Sequence, residues 1–419
     1  MATACVALFL SLVAVLLGEA TRNIAYISWV LLAALAAGDL LLSFPQRRSV
    51  VVDPIGEVFV GEAFKLGIAI APAVGTAVGR FDWPEGVRGP ASFEFSGSKV
   101  EVTCQAVRRG IWQLAHIWLS WPSRLRLFEF VPKIALGLEI RVIPNIRLVQ
   151  SGEIGATVQS RLFGVKENRA IGEGSEFHQL RDFVPGMDTS MIDWKRSARH
   201  RSLVAKEVRA ERNHHIIIAL DNGHLMREEI AGLPKIDHAV NAALATAWAA
   251  IIGGDLVGLY AYDAQPRLFL PPEPGRGAFA RLRSHTSELT YETRESNHTL
   301  AMTELNARTP KRSLIIVFSD FVDTTTAELM IENVGILSRQ HLIVFVALRD
   351  PALEGLVRAA PQDMDRVAES VATNQLLHER RLVFQRLTQL GVTVIDVEPG
   401  AVSAKLISTY LEIKAREQI

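Results

Sequence analysis

Residues 214–221, HHIIIALD, and 313–320, SLIIVFSD, are short apolar runs that each end on an aspartate. Three further runs share their character: DLVGLYAYD at 255–263, HLIVFVAL at 341–348 and GVTVIDV at 391–397. A strand that is apolar at nearly every position is buried on both faces, and parallel strands need crossover connections, usually helices. The intervening sequence predicts those helices over 236–252, 277–289, 299–308, 325–339, 362–390 and 402–414. The chain from 213 to 419 therefore reads as a doubly wound α/β domain of Rossmann-like type. Such sheets bind ligands at the carboxyl ends of their strands, where Asp221, Asp263 and Asp320 fall.

Upstream, residues 172–199 read GEGSEFHQLRDFVPGMDTSMIDWKRSAR, with both signs of charge interleaved among Phe177, Leu180, Phe183, Ile192 and Trp194. The expectation is a packing segment in which Trp194 and Ile192 are apolar anchors and Arg181, Asp188, Asp193 and Arg199 satisfy one another. A catalytic constellation is the rival reading, but His178 near Ser175 is its one base beside a hydroxyl. The stretch resembles the signature of a bacterial family classed as domain of unknown function family 58, G-E-G-x-E-F-x-x-L-R-x-Y-x-x-G-D-D-x-R-x-I-D-W-K-x-x-A-R. Gly172, Glu173, Gly174, Glu176, Phe177, Leu180, Arg181, Gly186, Asp188, Ile192, Asp193, Trp194, Lys195, Ala198 and Arg199 stand at matching places. Phe183 replaces the aromatic Tyr, Met187 the first Asp of the pair, and Ser190 the usual Arg.

The resemblance covers most of the chain and implies a C-terminal half like a von Willebrand factor A domain. In that fold a metal-ion-dependent adhesion site uses D-x-S-x-S after the first strand, a Thr in a later loop and an Asp after a further strand. Here Asp221, Thr299 and Asp320 take those places, while Gly223 and Leu225 stand where both serines should be. The implied metal site is degenerate, so the expected cofactor is none, or weakly bound Mg²⁺. The implied partner is a cytoplasmic MoxR-type AAA ATPase acting on a client protein.

Residues 49–144 switch to short alternating stretches punctuated by Gly and Pro, as in KVEVTCQAV (99–107) and IWQLAHIWL (111–119), which predicts an antiparallel β-sandwich. Trp112, Trp118 and Trp121 read as packing residues before a ligand platform. The run RRGIW (108–112) again resembles the same family. Ahead of it, apolar runs at 4–18 and 24–44 flank a short polar turn, and about 20 apolar residues cross a bilayer. Together they predict a transmembrane helical hairpin, although the first run also has features of a signal peptide. Arg47 and Arg48 after the second run place the following domains in the cytoplasm. Asp39 reads as tolerated near the inner end of that run.

The expected organisation is a transmembrane hairpin (1–45), a β-sandwich (46–147), a charged connecting segment with the signature (148–212) and the von Willebrand factor A-like domain (213–419). Basic and acidic residues both number 45, which removes any global attraction to nucleic acid. The two cysteines, Cys5 and Cys104, are not expected to pair. No G-x-x-x-x-G-K-[ST], G-x-S-x-G or H-E-x-x-H pattern occurs, so neither a P-loop nor a familiar hydrolase motif is present. The reading that follows is a non-enzymatic adaptor or scaffold of the inner membrane, multi-pass, contacting the lipid bilayer and an unknown client. A metal-dependent ligand-binding receptor is the first alternative. A carboxylate-based hydrolase using the sheet-top aspartates with Asp188 and Asp193 is the second.

Overall fold

The computed structural model describes residues 8–9, 12, 22–43, 49–72, 76–156, 158, 176–184, 187, 189–200, 202–209, 213–321, 324–358 and 363–416. They divide into two compact units, Met1–Ile143 and Pro144–Ile419. Most of the apolar run at 4–18 lies outside the described residues, as do Arg47, Arg48 and the signature residues Gly172, Glu173, Gly174, Gly186 and Asp188.

In the first unit, helix α1 (Arg22–Leu42) carries the second apolar run over 21 residues. Among the described residues no helix is long and apolar enough to cross a membrane. The strands that follow are β1 (Ser49–Val52), β2 (Val58–Phe59), β3 (Ala63–Ala71), β4 (Thr76–Phe81) and β5 (Val87–Arg88), then β6 (Phe93–Ser96), β7 (Lys99–Ala106), β8 (Gly110–Pro122), β9 (Glu129–Phe130) and β10 (Lys133–Ile143). They form one ladder in the order β1-β3-β7-β6-β4-β8-β10-β2, with β5 on β7 and β9 on β8. Pairing is antiparallel apart from β2 on β10.

Alternation decides which face is buried. In β7, Val102, Cys104 and Ala106 point inward, while Glu101, Thr103 and Gln105 point to solvent. Burial pushes the Cys104 thiol up to about 11, which makes it a packing group rather than a reactive one. In β8 the inward set shifts phase between Leu114 and Ile117, opposite the irregularity between Ala135 and Leu138. Gly137, at φ +60°, supplies the left-handed residue there. Leu66, Leu114, Ile117, Leu119 and Ile140 have no exposed surface. Strands β1 and β10 lie against each other although they are remote along the ladder. The sheet thus curls over its own apolar face.

Of the three tryptophans in β8, Trp121 is buried, whereas Trp112 and Trp118 are half-buried with their indole N–H groups satisfied by the Arg108 carbonyl (3.0 Å) and the Asp82 carboxylate (3.1 Å). The Trp112 ring lies so close over Gly86 that a Cβ there would overlap it.

The second unit opens with α2 (Arg147–Gln150). Asn145 and Ile154 flank it, the Asn145 N–H donating to the Asn241 side chain at 2.8 Å and Ile154 being buried. The signature region forms an antiparallel pair, β11 (Glu176–Asp182) with β12 (Val204–Arg209), and α3 (Trp194–His200) lies between them in sequence. Asp193 caps α3, accepting the Arg196 N–H at 3.1 Å. The backbone N–H of Asp193 and the hydroxyl of Ser197 both bond Val204, which ties α3 to β12. One expectation is corrected: Trp194, the first residue of α3, is 67% exposed and so is not a buried apolar anchor.

The α/β sheet comprises β13 (His215–Asp221), β16 (Leu256–Tyr262), β17 (Pro266–Glu273), β18 (Leu314–Phe318), β19 (Leu342–Leu348) and β20 (Thr393–Val397). A small hairpin, β14 (Glu229–Ile230) with β15 (Leu233–Pro234), follows β13. The strand order is β17-β16-β13-β18-β19-β20, parallel except for β17. Relabelled one to six in chain order, this is 3-2-1-4-5-6, the doubly wound arrangement. The helices are α4 (Lys235–Ile252), α5 (Gly275–Glu288), α6 (His298–Arg308), α7 (Thr324–Leu337), α8 (Pro351–Arg358), α9 (Met364–Gln389) and α10 (Val402–Ala415). Side chains of α6, α7 and α9 bury Ile217, Ala219, Ile315, Val317, Ile343 and Phe345 on one face. Helices α4 and α5 cover the other face, with α10 packed on α4. The edge strand β17 is invisible to an apolar-run search because it carries Pro271 and Pro272, which an edge tolerates.

Replacing Gly86 by Ala should lower stability by about 1–3 kcal/mol, the usual cost of overpacking. Thermal unfolding of Gly86→Ala and of Gly86→Ala with Trp112→Leu checks this: the second substitution should recover most of the loss.

Candidate functional site

In a 3-2-1-4-5-6 sheet the crevice opens where the strand order reverses, here between the carboxyl ends of β13 and β18. Asp221 ends β13, and Ser319 and Asp320 follow β18 directly. All three are buried, at 2%, 1% and 5% exposure.

Asp221 is held by uncharged donors. It accepts the Ser319 hydroxyl at 2.6 Å and the Gly223 N–H at 2.9 Å, and it also accepts the Ser296 hydroxyl. The His298 ring lies 3.9 Å away and is itself within 3.4 Å of the Tyr262 hydroxyl. Burial, and then the Asp221 charge, push the Tyr262 phenol well above its ordinary range, so it remains a neutral hydroxyl. A Cβ on Gly223 would overlap the Ser296 hydroxyl. The space for a serine at 223 is thus taken by a serine that arrives from the loop before α6.

Asp320 is held by cations. The Lys235 ammonium lies 2.6 Å from one carboxylate oxygen, and the Arg380 guanidinium lies 2.7 Å from the other, which also accepts the Phe321 N–H at 3.0 Å. Burial alone would raise the Asp320 carboxyl, but Arg380 and Lys235 outweigh it and hold the group below the ordinary carboxylate range. Both cations are likewise pulled upward against their own burial.

The charges continue in alternation. Lys235 also pairs with Glu228. Arg380 reaches Asp396 at 3.2 Å, Asp396 reaches Arg349 at 3.3 Å, and Arg349 reaches Glu354 at 3.5 Å. Arg380 further donates to the Leu348 carbonyl and packs over Phe384 and Phe321, at 5.0 and 5.6 Å from the ring centres. One ionic chain thereby joins the loop after β13, the start of α4, the end of β18, α9, β20 and α8.

Of the three sequence-derived metal positions, Asp221 and Asp320 sit at the crevice, while Thr299 on α6 accepts the Asn333 amide at 3.0 Å. Among the described residues no group of three or more His, Cys, Asp or Glu side chains could hold a metal ion. Both oxygens of Asp320 are already ligated by cations, so a divalent ion would have to displace Lys235 or Arg380. Asp263 is fully buried and serves the β16–β17 turn, accepting from Arg267 at 2.5 Å and the Gln265 N–H at 3.0 Å. Because Asp221, Asp263 and Asp320 are all buried, they do not form an exposed acidic surface at the carboxyl ends of the strands.

Sequence reasoning overlooked Lys235, Ser296, Ser319 and Arg380. Lys235 did carry a signal: a cation in the first turn of a buried, apolar helix opposes the helix dipole and needs a carboxylate nearby. Arg380 carried none, since it lies in the charged run HERR.

Truncating Lys235 to Met should cost about 3 kcal/mol, because it leaves buried Asp320 half compensated. In a double-mutant cycle with Arg380→Met the losses should not add, since both act through Asp320. Asp320 has a depressed folded pKa, so its contribution is complete above the ordinary value of 3.8 and disappears as pH falls through the lower folded value. Acid unfolding of the wild type should accordingly lose a stabilising component below about pH 4 that Asp320→Asn already lacks.

Among curated proteins, none matches the chain. Solved structures do. Conserved hypothetical protein BatB from Bacteroides thetaiotaomicron aligns over 49% of this chain and 100% of its own, at 15% identity and a TM-score of 0.35. An aerotolerance-related membrane protein from Bacteroides fragilis aligns over 48% of this chain and 99% of its own, at 12% identity and a TM-score of 0.30. Part of the signature strand, Asp221, Lys235 and Asp320 at the sheet crevice, and the first half of α9 fall within one region of sequence similarity: the model of a family described as "Protein of unknown function DUF58" matches residues 179–376.

Proposed function

We propose that this protein is a membrane-anchored, non-enzymatic adaptor that works with a MoxR-type AAA ATPase on a client protein. In this reading its doubly wound domain is a von Willebrand factor A-like module with a degenerate metal site. The observation that carries the reading is the engagement of Asp320 by Lys235 and Arg380. An internal ammonium and guanidinium stand against the carboxylate that a metal-dependent receptor would present to its cation. The same ion pairs occupy the groups a carboxylate hydrolase would need for proton transfer.

With the aspartates buried, recognition passes to the exposed rim beside them. Arg294, Glu295, Thr299 and Leu300 are exposed, and the segment that bears them is fixed to the crevice by Ser296 on Asp221 and by the Arg294 carbonyl accepting the His224 N–H at 2.9 Å. This rim is the proposed docking surface for the ATPase. The membrane anchor rests on the two apolar N-terminal runs and on Arg47 and Arg48, which favour cytoplasmic soluble domains at the inner membrane.

Two measurements test the proposal. Capture of the ATPase by the detergent-solubilised full chain should fall about tenfold or more with Leu300→Asp and Arg294→Glu combined, if these are central contacts. Undiminished capture would place the docking surface elsewhere. Calorimetry on the same protein should show Mg²⁺ binding no tighter than millimolar, and Gly223→Ser should not improve it because Ser296 occupies that space. A micromolar site lost in Asp221→Ala would revive the metal-dependent receptor.

A further inference from the structure

Asp39 lies one turn before the end of α1 and is 1% exposed. Its carboxylate accepts the Leu125 N–H at 3.0 Å and the Ser43 hydroxyl at 3.1 Å, and it also accepts the Ser123 hydroxyl. The Ser43 hydroxyl in turn accepts the Arg124 N–H at 3.0 Å. The last turn of an apolar helix is thus hydrogen-bonded to the loop between β8 and β9. That loop is itself braced: Ser123 accepts the Phe128 N–H on its hydroxyl at 3.0 Å and the Arg126 N–H on its carbonyl at 3.0 Å. Arg126 takes a left-handed backbone at φ +58°, so the turn is tight and presents its side chains outward.

Those side chains read Arg124, Leu125, Arg126, Leu127, Phe128, with Val131 following. Leu125, Phe128 and Val131 are 56%, 39% and 53% exposed, and both arginines are exposed. Leu41 and Leu42, in the helix turn bonded to this loop, are 76% and 68% exposed. Apolar side chains that would be unfavourable in water therefore sit beside basic ones, at the level of the end of the helix. A boundary with hydrocarbon on one side and phosphate on the other satisfies both classes, since the leucines enter the acyl region and the guanidinium groups bind phosphates.

We propose that residues 124–131 form a lipid-binding loop that inserts into the anionic interface of the bilayer and sets the β-rich unit against the membrane, with Asp39 as the positioning residue. This rests on the membrane-anchor reading above. Asp39 then has a purpose in the apolar run: its hydrogen bonds fix the depth of the loop relative to the helix. An anionic surface raises the occupancy of such a loop by about fivefold per arginine.

The test uses the full chain with Cys5→Ala and Leu125→Cys, labelled with an environment-sensitive fluorophore and reconstituted into phosphatidylcholine vesicles with or without phosphatidylglycerol. Buried Cys104 does not compete for the label. The expected result is blue-shifted emission that is quenched by headgroup-level nitroxide lipid. Quenching should be stronger with phosphatidylglycerol and reduced in Arg124→Glu with Arg126→Glu, while the protein still floats with the vesicles. Flotation with water-like, unquenched emission would overturn the loop proposal and leave the anchor standing. Failure to float would overturn both. In Asp39→Asn, which keeps the size of the side chain, the protein should still float but with weaker quenching. Quenching unchanged by that substitution would remove Asp39 from the positioning role.

Discussion

Asp320 is the constraint around which the second unit is organised. A carboxylate at 5% exposure cannot remain ionised in a protein interior without compensation, and here two cations from opposite faces of the sheet provide it. Lys235 comes from the start of α4 on one face of the sheet, and Arg380 comes from α9 on the other. The ion pairs therefore clamp both helical layers to the carboxyl end of β18. Through Asp396 and Arg349 the clamp extends to the two outer parallel strands.

Asp221, beside it, is handled by a different chemistry. It is satisfied by two serine hydroxyls and a backbone N–H, with no full charge within hydrogen-bonding distance. Two neighbouring carboxylates thus have different surroundings, one neutralised by cations and the other solvated by dipoles. That division gives each carboxylate its own set of partners. It also explains why the segment carrying Ser296 and the rim residues is well fixed, because its serine is one of the ligands of Asp221. The opposite end of the sheet uses the same device: buried Asp255 receives the Tyr410 hydroxyl at 2.5 Å and the Lys414 ammonium at 2.7 Å, which pins α10.

In the first unit the alternation of polar and apolar residues is sufficient to define the sheet face, but not its curvature. The phase shift in β8 and the left-handed Gly137 opposite it let a thirteen-residue strand keep its apolar side chains inward on both sides of the irregularity. The signature segment shows a related effect. Its Asp193 reads as one charge among many, yet its side chain is a helix cap and its backbone is a strand partner.

Periodicity is legible in the chain itself: five apolar runs that became parallel strands, six helices placed within about two residues of their ends, and the two aspartates that bracket the crevice. These are local properties, set by which residues must leave water and at what spacing. Tertiary structure decided the rest. Edge strand β17 escaped notice because its prolines are tolerated only where one side of a strand is unpaired, and that is a property of its place in the sheet. Lys235 and Arg380 lie 85 and 60 residues from Asp320. Ser296 lies 75 residues from Asp221. No local pattern links such pairs, because their partnership exists only once the burial of a carboxylate makes an uncompensated charge too costly to leave.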